Sequence, residues 1–395
     1  MPAFDTIVVG LGAVGSACTL QLARRGQRVL GLDRHSPPHD QGSSHGETRI
    51  TRCAVGEGTA YVPLVQRSHE IWRELEQDTG LSLLTQCGTL VLANGTAAQV
   101  HGKADFVGRT VAAAQQYGIP HERMDARAIA ARFPQFRMRG DEQGCFEPGG
   151  GFVRPELCIQ AQLTAAARAG AALLTGAQVI AIEQDGSGAR VVLADGTVHR
   201  AAEVVLAAGA WTAGLATGVA PHLAVTRQVL HWFEADHDAF APGRCPVYIW
   251  VHGDGPEDTF YGFPNLGPGQ GVKVATEQYA SVTPDPDHVQ RGVSPDEAAT
   301  MHAIHLATRM PSLQPRALRS KACLYTMTPD GDFLLDRAPD SPCVLVVSAC
   351  SGHGFKHSAG LGDAVAGLLC GQPGAADLAS FGLGRLLRQM KTLDA

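Results

Sequence analysis

The sequence lacks the features that would place it outside the ordinary water-soluble globular proteins. Its ten cysteines include no C-x-x-C pair, which argues against a disulfide framework or a zinc site. No run approaches the roughly 18 consecutive apolar residues of a membrane-spanning helix, and the first residues lack the basic start of a signal peptide. The net charge of −6 gives no electrostatic attraction to nucleic acid or anionic membranes. These absences predict a cytoplasmic protein in a reducing setting that binds no metal, nucleic acid or membrane.

The composition is that of a globular protein with more than one domain. The chain has 395 residues, of which 45% are hydrophobic and 18% are charged. This length allows two or three domains around a large core. No repeat or low-complexity segment interrupts it.

A glycine-rich turn close to the first residue organises the rest of the chain. Gly10, Gly12 and Gly15 match G-x-G-x-x-G after the apolar strand at 7–9. In such a motif the glycines allow a sharp turn, close approach of backbone to a pyrophosphate, and tight packing of helix on strand. The helix at 14–25 would point its positive end at that pyrophosphate.

Asp33 closes the next apolar strand and is placed to accept hydrogen bonds from a ribose hydroxyl. The stretch from residue 5 to 33 therefore predicts a dinucleotide-binding βαβ unit. At this level NAD and FAD fit equally well, and a βαβ unit that binds nothing is the alternative.

The loop after Asp33 carries histidines and two arginines. His35, His39 and His45 could suggest a metal site, but no carboxylate or cysteine pattern supports one. Arg49 and Arg52 are three residues apart, and arginine is the preferred side chain for gripping a carboxylate or phosphate. Solvated surface arginines are the alternative.

Hydrophobic periodicity and turn residues predict an α/β protein with an additional antiparallel sheet. A Rossmann-like domain is left and re-entered twice by the chain. We expect residues 1–85, 150–218 and 320–395 to form this nucleotide-binding domain, and residues 86–149 and 219–319 to form a substrate domain built on a mostly antiparallel sheet. The predicted helices are 61–79, 105–117, 126–133, 155–168, 295–308 and 358–370.

Two late stretches contain residues with possible chemical roles. Cys323 lies beside Lys321 and close to Arg319, and neighbouring cations favour the reactive thiolate. An inert buried cysteine is the alternative. In residues 351–356 (SGHGFK) the glycines allow close approach to a planar ligand, and Lys356 adds a positive charge.

Together these features resemble the family of monomeric sarcosine oxidase and N-methyltryptophan oxidase, amine-oxidising flavoproteins. The resemblance covers nearly the whole chain and is carried by eight motifs in order. They are residues 10–15 (GLGAVG), 42–52 (GSSHGETRITR), 56–58 (GEG), 261–264 (YGFP), 271–273 (GVK), 323–326 (CLYT), 328–330 (TPD) and 351–356 (SGHGFK).

The resemblance implies a monomeric enzyme with FAD in the Rossmann-like domain and a substrate pocket beneath the antiparallel sheet. Cys323 is similar to the family's cysteine that forms a thioether to the flavin 8α-methyl carbon. Arg52 and Lys356 are similar to the pair that holds the substrate carboxylate, and Lys273 to the lysine where oxygen is reduced. The other implied cofactor-binding residues are Gly10, Gly12, Gly15, Asp33, Ser43, Ser44, Gly352, Gly354 and Phe355.

The remaining implied pocket residues are Arg49, His45 and Tyr261, which join Lys273 as catalytic residues, and Tyr325, which lines the pocket. One departure concerns the residue four positions beyond Lys273, where the family commonly has a histidine and this chain has Glu277. A carboxylate would change the charge of the pocket and favour a substrate with an additional cationic or hydrogen-bonding group.

The expected activity is oxidation of N-methyl or cyclic secondary amino acids by FAD, with O2 reduced to hydrogen peroxide. A related dehydrogenase that passes electrons to a carrier is an alternative, which Lys273 and Cys323 disfavour. A third reading is a flavin-binding module without catalysis, which leaves Arg52, Lys356 and Tyr261 unexplained.

Overall fold

The first strand, the glycine turn and the first helix form the centre of a nucleotide-binding sheet. In the computed structural model, which describes residues 3–95, 99–255, 257–372, 374 and 376–393, strand Phe4–Val9 pairs in parallel with Val29–Asp33 and with Val198–Leu206. Ile7 and Val8 are fully buried, as apolar runs in parallel strands are. Helix Ala13–Arg24 follows the turn.

This first sheet has a parallel core with antiparallel additions on one side. Strand Val198–Leu206 pairs with Gly188–Leu193 near its beginning and with Ser341–Ser348 near its end. The outer strands are Ala172–Thr175, Val179–Asp185 and Leu334–Ala338. Asp195 and Gly196 lie in the connection between Gly188–Leu193 and Val198–Leu206, as the hairpin interpretation predicted.

Three helices pack closely because small residues line their contacts. On helix Ser358–Leu369, a Cβ atom at Gly360 would overlap the carbonyl oxygen of Leu64. At Gly362, a Cβ atom would lie 2.5 Å from the Cβ of Ala17. The small residues of this helix thus allow it to pack between Val62–Thr79 and the first helix.

The second sheet is mostly antiparallel, as the sequence predicted. Its one parallel pairing joins Val247–Val251 to Thr89–Asn94. Large aromatic side chains, including Trp250, Phe260 and Phe233, form the core on one of its faces. In spatial order its strands are Ala317–Met327, Ala224–Phe233, Val272–Thr276, Thr259–Gly262, Val247–Val251, Thr89–Asn94, Glu142–Glu147 and Glu122–Asp125.

Two small sheets complete the strands of the described chain. Gly151–Val153 pairs with Arg49–Thr51 and with Leu84–Thr85, and Arg52 directly follows strand Arg49–Thr51. A short hairpin, Gln99–Val100 with Lys103–Ala104, carries His101 at its tip.

The helices predicted at 105–117, 126–133 and 155–168 are present, but Thr212–Leu215, His237–Phe240 and Gly384–Leu393 were not predicted. The helix predicted at 295–308 is an α-helix over Pro295–Met301 that continues as a π-helix over His302–Leu306. The other α-helices are Phe106–Gln116, Ala126–Arg132, Pro155–Arg168, Thr212–Leu215, His237–Phe240 and Gly384–Leu393. Across the described residues, no helix combines the length and apolarity needed to span a bilayer.

Candidate active site

The glycine turn has the backbone geometry that its motif predicts. Gly10 has a φ of +90°, and a Cβ atom there would lie 2.6 Å from the carbonyl oxygen of Ala207. A Cβ on Gly15 would overlap the carbonyl oxygen of Gly10, so helix and turn can meet only without a side chain. At Gly12 a Cβ would meet only the Ser44 hydroxyl, at 3.6 Å. The turn therefore presents bare backbone to the space in front of it.

Asp33 supports this turn directly. Its carboxylate accepts hydrogen bonds from the backbone N–H of Leu11 and of His35, both at 2.8 Å. Burial raises the pKa of Asp33, but hydrogen bonds from His39 and from these backbone groups outweigh it, so that its pKa is lowered. Asp33 is thus an ionised group that holds the turn and still lines the cleft.

An elongated cleft of about 420 Å³ runs along the turn. Its lining includes Asp33 and Arg34 as well as Tyr325 and Gly352. Eight of the residues predicted to bind the cofactor line it: Gly10, Gly12, Asp33, Ser43, Ser44, Gly352, Gly354 and Phe355. Gly15 lies behind the turn and acts through packing.

The cleft fits a phosphate-bearing dinucleotide. The first helix begins at Ala13, and no acidic residue in its first turn neutralises the positive end of the helix dipole. The Ser44 hydroxyl accepts a hydrogen bond from the backbone N–H of Ala13 at 3.3 Å and lies beside that end.

Cys323 lies against a different cation from the one that the sequence suggested. Arg49 Nη2 is 3.6 Å from Cys323 Sγ. Lys321 instead pairs with Asp40, and Arg319 pairs with Glu47. The expectation that Lys321 and Arg319 flank the thiol was therefore wrong, because their side chains reach carboxylates at the surface.

His45 is buried near Arg49. Burial and the charge of Arg49 lower the pKa of His45 to about 3, so its imidazole is neutral. Neither of its ring nitrogens has a hydrogen-bond partner within the described residues.

A second, smaller cavity of about 70 Å³ adjoins the cleft. Arg49, Tyr325, Gly352 and Phe355 line both spaces. The cavity also brings together five more predicted site residues, Arg52, Tyr261, Lys273, Glu277 and Lys356, whereas the predicted residues His45 and Cys323 line neither space.

A buried glutamate joins the two cations predicted to hold a carboxylate. Arg52 Nη2 donates to Glu57 Oε2 at 2.6 Å, and Lys356 Nζ donates to Glu57 Oε1 at 3.0 Å. Burial raises the pKa of Glu57, but Arg52 and Lys356 hold it well below its usual value. Burial lowers the pKa of Lys356 to about 8, against the opposing effect of Glu57. The three groups together carry one net positive charge.

Lys273 is held by backbone carbonyl groups. Its Nζ donates to the carbonyl oxygens of Gly46 at 2.8 Å and Thr48 at 2.6 Å, and lies 4.1 Å from the centre of the Phe263 ring. Burial, with a smaller effect of Arg49, lowers its pKa well below the usual lysine value.

Two tyrosines and a glutamate complete the cavity wall. The hydroxyl groups of Tyr261 and Tyr325 are 3.1 Å apart, and burial raises the pKa of Tyr261 to about 12. Glu277 Oε1 lies 2.7 Å from Nε2 of His101, and the hydroxyl of Tyr279 donates to Glu277 Oε2.

Sequence reasoning missed Glu57 and His101. Glu57 lies within the GEG motif at 56–58, which was noticed but given no role. His101 lies at the tip of a hairpin with no distinctive spacing, so no signal in the sequence placed it in the cavity.

The fold and the cleft are those of a dinucleotide-binding protein, and a family match identifies its class as the FAD-dependent oxidoreductases. The chain matches the family described as "FAD dependent oxidoreductase" over residues 5–368. It is also 38% identical to monomeric sarcosine oxidase of Streptomyces avermitilis over 371 residues, 93% of this chain and 94% of the relative. The chain therefore belongs to the FAD-dependent oxidoreductases of the monomeric sarcosine oxidase type, which confirms the resemblance seen in the sequence.

Other relatives and solved structures agree. N-methyl-L-tryptophan oxidase of Citrobacter koseri is 34% identical over 386 residues, 97% of this chain and 99% of the relative. The solved structure of NikD, described as an unusual amino acid oxidase, has a TM-score of 0.80 at 24% identity and covers 97% of this chain and 98% of its own. Glycine oxidase from Geobacillus kaustophilus has a TM-score of 0.74 at 22% identity, covering 97% and 99%. These structures confirm the predicted fold.

Proposed function

We propose that this protein is an FAD-dependent oxidase of secondary amino acids, namely N-methyl or cyclic amino acids. It would oxidise the substrate C–N bond to an imine that water hydrolyses, with O2 reduced to hydrogen peroxide. The observation that carries the proposal is one small cavity, adjoining the cofactor cleft, that contains both the Arg52–Lys356 pair and Lys273. Its relatives are named as oxidases of sarcosine and of N-methyl-L-tryptophan.

The Arg52–Glu57–Lys356 group would bind the substrate carboxylate. A carboxylate that leaves water needs charge-assisted hydrogen bonds, and these three side chains together carry one net positive charge that it can neutralise. Because Glu57 already engages both cations, the substrate must share them with it. Holding the carboxylate here would orient the C–N bond towards the cofactor and lower the entropic part of the barrier.

FAD would lie along the cleft, with Gly10, Gly12 and the first helix around its pyrophosphate, and Asp33 near its ribose. Bound there, it would take two electrons from the substrate C–N bond and return them to oxygen. Gly352, Gly354 and Phe355 would contact its ring, at the end of the cleft that opens to the smaller cavity.

Cys323 would attach the cofactor covalently. Its sulfur is buried beside Arg49 at 3.6 Å and beside the carbonyl oxygen of Ser43 at 3.6 Å. Formation of the thioether would replace the S–H bond of Cys323 and one C–H bond of the flavin 8α-methyl group by a C–S bond. Dioxygen would take the two electrons and two protons and become hydrogen peroxide.

The amine must lose its proton before it is oxidised, because only the free base has the electron pair that assists C–H cleavage. Arg49 and Arg52 face the cavity and would lower the pKa of a substrate amine by disfavouring another cation. Tyr261, whose raised pKa keeps its hydroxyl protonated, would donate a hydrogen bond in the pocket. His45, neutral and buried, would complete the wall behind Arg49.

Lys273 would act on oxygen. Its Nζ is fixed by two carbonyl oxygens, so its protonated form would be in position to stabilise the negative charge that develops on reduced oxygen without reorganising. The contacts support an oxidase rather than a dehydrogenase that delivers electrons to a carrier.

Peroxide release from sarcosine, larger N-methyl amino acids, proline and pipecolate tests the proposal, with Arg52→Ala as the diagnostic variant. We expect at least one of these to be a substrate, and Arg52→Ala to raise KM by about tenfold or more, since it removes a charge-assisted bond. Absence of activity on the whole series, or an unchanged KM in the variant, would contradict the assignment.

A further inference from the structure

Glu277 places a negative charge in the cavity that we propose binds the substrate carboxylate. It directly follows strand Val272–Thr276, is 6% exposed and lines the smaller cavity. Burial raises the pKa of Glu277, but His101 and Tyr279 lower it below its usual value overall. Glu277 is therefore ionised in the neutral pH range.

This charge is only partly matched. Within the described residues, its one ion-pair partner is His101, at 2.7 Å, and no Lys or Arg side chain pairs with it. Burying an ionised carboxylate is costly unless a cation or several hydrogen bonds compensate it. The site thus retains capacity for a positive group.

His101 supplies a second, independent sign of a missing ligand. Its side chain is 6% exposed and lines the cavity. Among the residues that the structure describes, its buried Nδ1 has no hydrogen-bond partner; this atom lies 3.8 Å from Glu57 Oε1. Buried polar atoms in native proteins nearly always have partners.

The backbone is shaped to bring this pair together. A Cβ atom on Gly352 would lie 3.0 Å from His101 Nε2 and 3.3 Å from Glu277 Oε1. Only a glycine leaves room there without displacing the pair, so Gly352 serves the cavity as well as the cofactor cleft.

The cavity is therefore bipolar. At one end, Arg52, Lys356 and Glu57 carry one net positive charge, and at the other Glu277 is negative, with His101 between the two glutamates. The rings of Tyr261 and Tyr325 form part of the wall, and aromatic faces attract cations. A molecule with a carboxylate and an ammonium group matches both ends.

We propose that Glu277, held by His101 and Tyr279, is an ammonium-binding subsite that selects substrates carrying a positive group in addition to their carboxylate. The proposal rests on the proposed function and names its substrate class as amino acids that bind with a positive group; an α-ammonium bound here would lose its proton before the C–N bond is oxidised. The positive group is either the α-ammonium itself or a basic side chain, since both present a positive charge to the carboxylate of Glu277.

Two pairs of non-oxidisable ligands test this in the holoprotein. Trimethylglycine and tert-butylacetate differ only in the charge next to the carboxylate. Gamma-aminobutyrate and butyrate differ in a distant ammonium group. Dissociation constants are measured by calorimetry for the native protein, for Glu277→Gln, and for Glu122→Gln, which removes an exposed carboxylate paired with Arg132.

In the native protein we expect the cationic member of at least one pair to bind about tenfold or more tightly than its neutral counterpart. Glu277→Gln should abolish this preference and Glu122→Gln should preserve it. A preference in the first pair identifies the α-ammonium, and one in the second pair a basic side chain. No preference in either pair, or a preference that survives Glu277→Gln, overturns the proposal.

The outcome is independent of turnover, because the probes are not oxidised. If secondary amino acids are oxidised and the preference is absent, the subsite is wrong and the proposed function stands. If Glu277→Gln yields no folded holoprotein, Tyr279→Phe removes the hydroxyl that holds Glu277 Oε2. It should reduce the preference, and an unchanged preference would overturn the subsite.

Discussion

We expect Lys356 to make carboxylate binding sensitive to pH. Burial lowers its pKa to about 8 while Glu57 opposes the shift, so Lys356 is charged below pH 8 and loses its charge as the pH rises through that value. The affinity for a plain carboxylate such as propionate should therefore fall above about pH 8 and level off below it. Perturbation of the flavin spectrum gives the dissociation constant at each pH. Arginine stays charged in proteins, so Lys356→Arg should remove the fall, whereas pH-independent binding by the native protein would contradict this role.

Lys273 should matter to oxygen more than to the substrate. Lys273→Met removes the ammonium group and keeps a chain of similar length. We expect reoxidation of the reduced flavin by oxygen to slow by about 100-fold or more, with anaerobic reduction by substrate changed much less. Stopped-flow absorbance separates the two half-reactions. Lys321→Met, at an exposed lysine paired with Asp40, serves as the control, and equal losses in both half-reactions would refute the assignment.

For single residues, the sequence predicted which side chains form the cavity better than it predicted which of them contact each other. Motif spacing and resemblance brought Arg52, Lys356 and Lys273 to attention, and the structure places all three in one cavity. The sequence could not show that Glu57 joins Arg52 to Lys356, because Lys356 and Glu57 are separated by 299 positions. Such partners are decided by how distant elements pack, which local pattern does not contain.

The glycine turn is the element on which cofactor binding should depend most. In Gly15→Ala the added methyl group would overlap the carbonyl oxygen of Gly10, so the helix must move away from the turn, at a cost of about 1–3 kcal/mol. We expect lower flavin content and a lower Tm, measured by absorbance and calorimetry. Gly292→Ala is the matched control, because among the described residues no atom beyond its two chain neighbours lies within 4 Å of the Cβ it adds. Equal behaviour of the two variants would show that the packing of Gly15 is not needed.

Elements with strong local signals were predicted well. Helix Pro155–Arg168 has the predicted bounds, and helix Val62–Thr79 begins one residue later than predicted. The second helix could be predicted because apolar periodicity and a glycine at its end mark it. The π-helical continuation over His302–Leu306 was missed, because the i→i+5 hydrogen bonds of a π-helix leave no distinctive residue pattern.

At the scale of the molecule, we propose that a nucleotide-binding part and a substrate part share the cofactor cleft. Strand Ala317–Met327 pairs with Ala224–Phe233 in the second sheet. We therefore propose that the substrate part, expected to end at residue 319, includes the whole of this strand. Asp287 accepts hydrogen bonds from Arg34 at 2.8 Å and from the Trp211 indole at 2.7 Å. All three residues line the cleft, so a bound cofactor would hold both parts together.

Covalent attachment should therefore be visible in the stability of the whole protein. A ligand that binds only the native state raises Tm with its concentration, but a tethered ligand is already at saturating local concentration. We expect the Tm of the native protein to be independent of added FAD. In Cys323→Ser, Tm should be lower without FAD and should rise as FAD is added. A native Tm that rises with FAD, together with flavin released by acid precipitation, would contradict the thioether to Cys323.

Anaerobic mixing of the purified holoprotein with sarcosine, larger N-methyl amino acids, proline and pipecolate is the most direct test of the oxidase assignment. At least one of these should bleach the visible absorbance of the oxidised flavin. Admission of air should then restore the absorbance and release an equivalent amount of hydrogen peroxide. Absence of bleaching with every compound, or recovery with a quinone but not with oxygen, would contradict an oxidase of secondary amino acids.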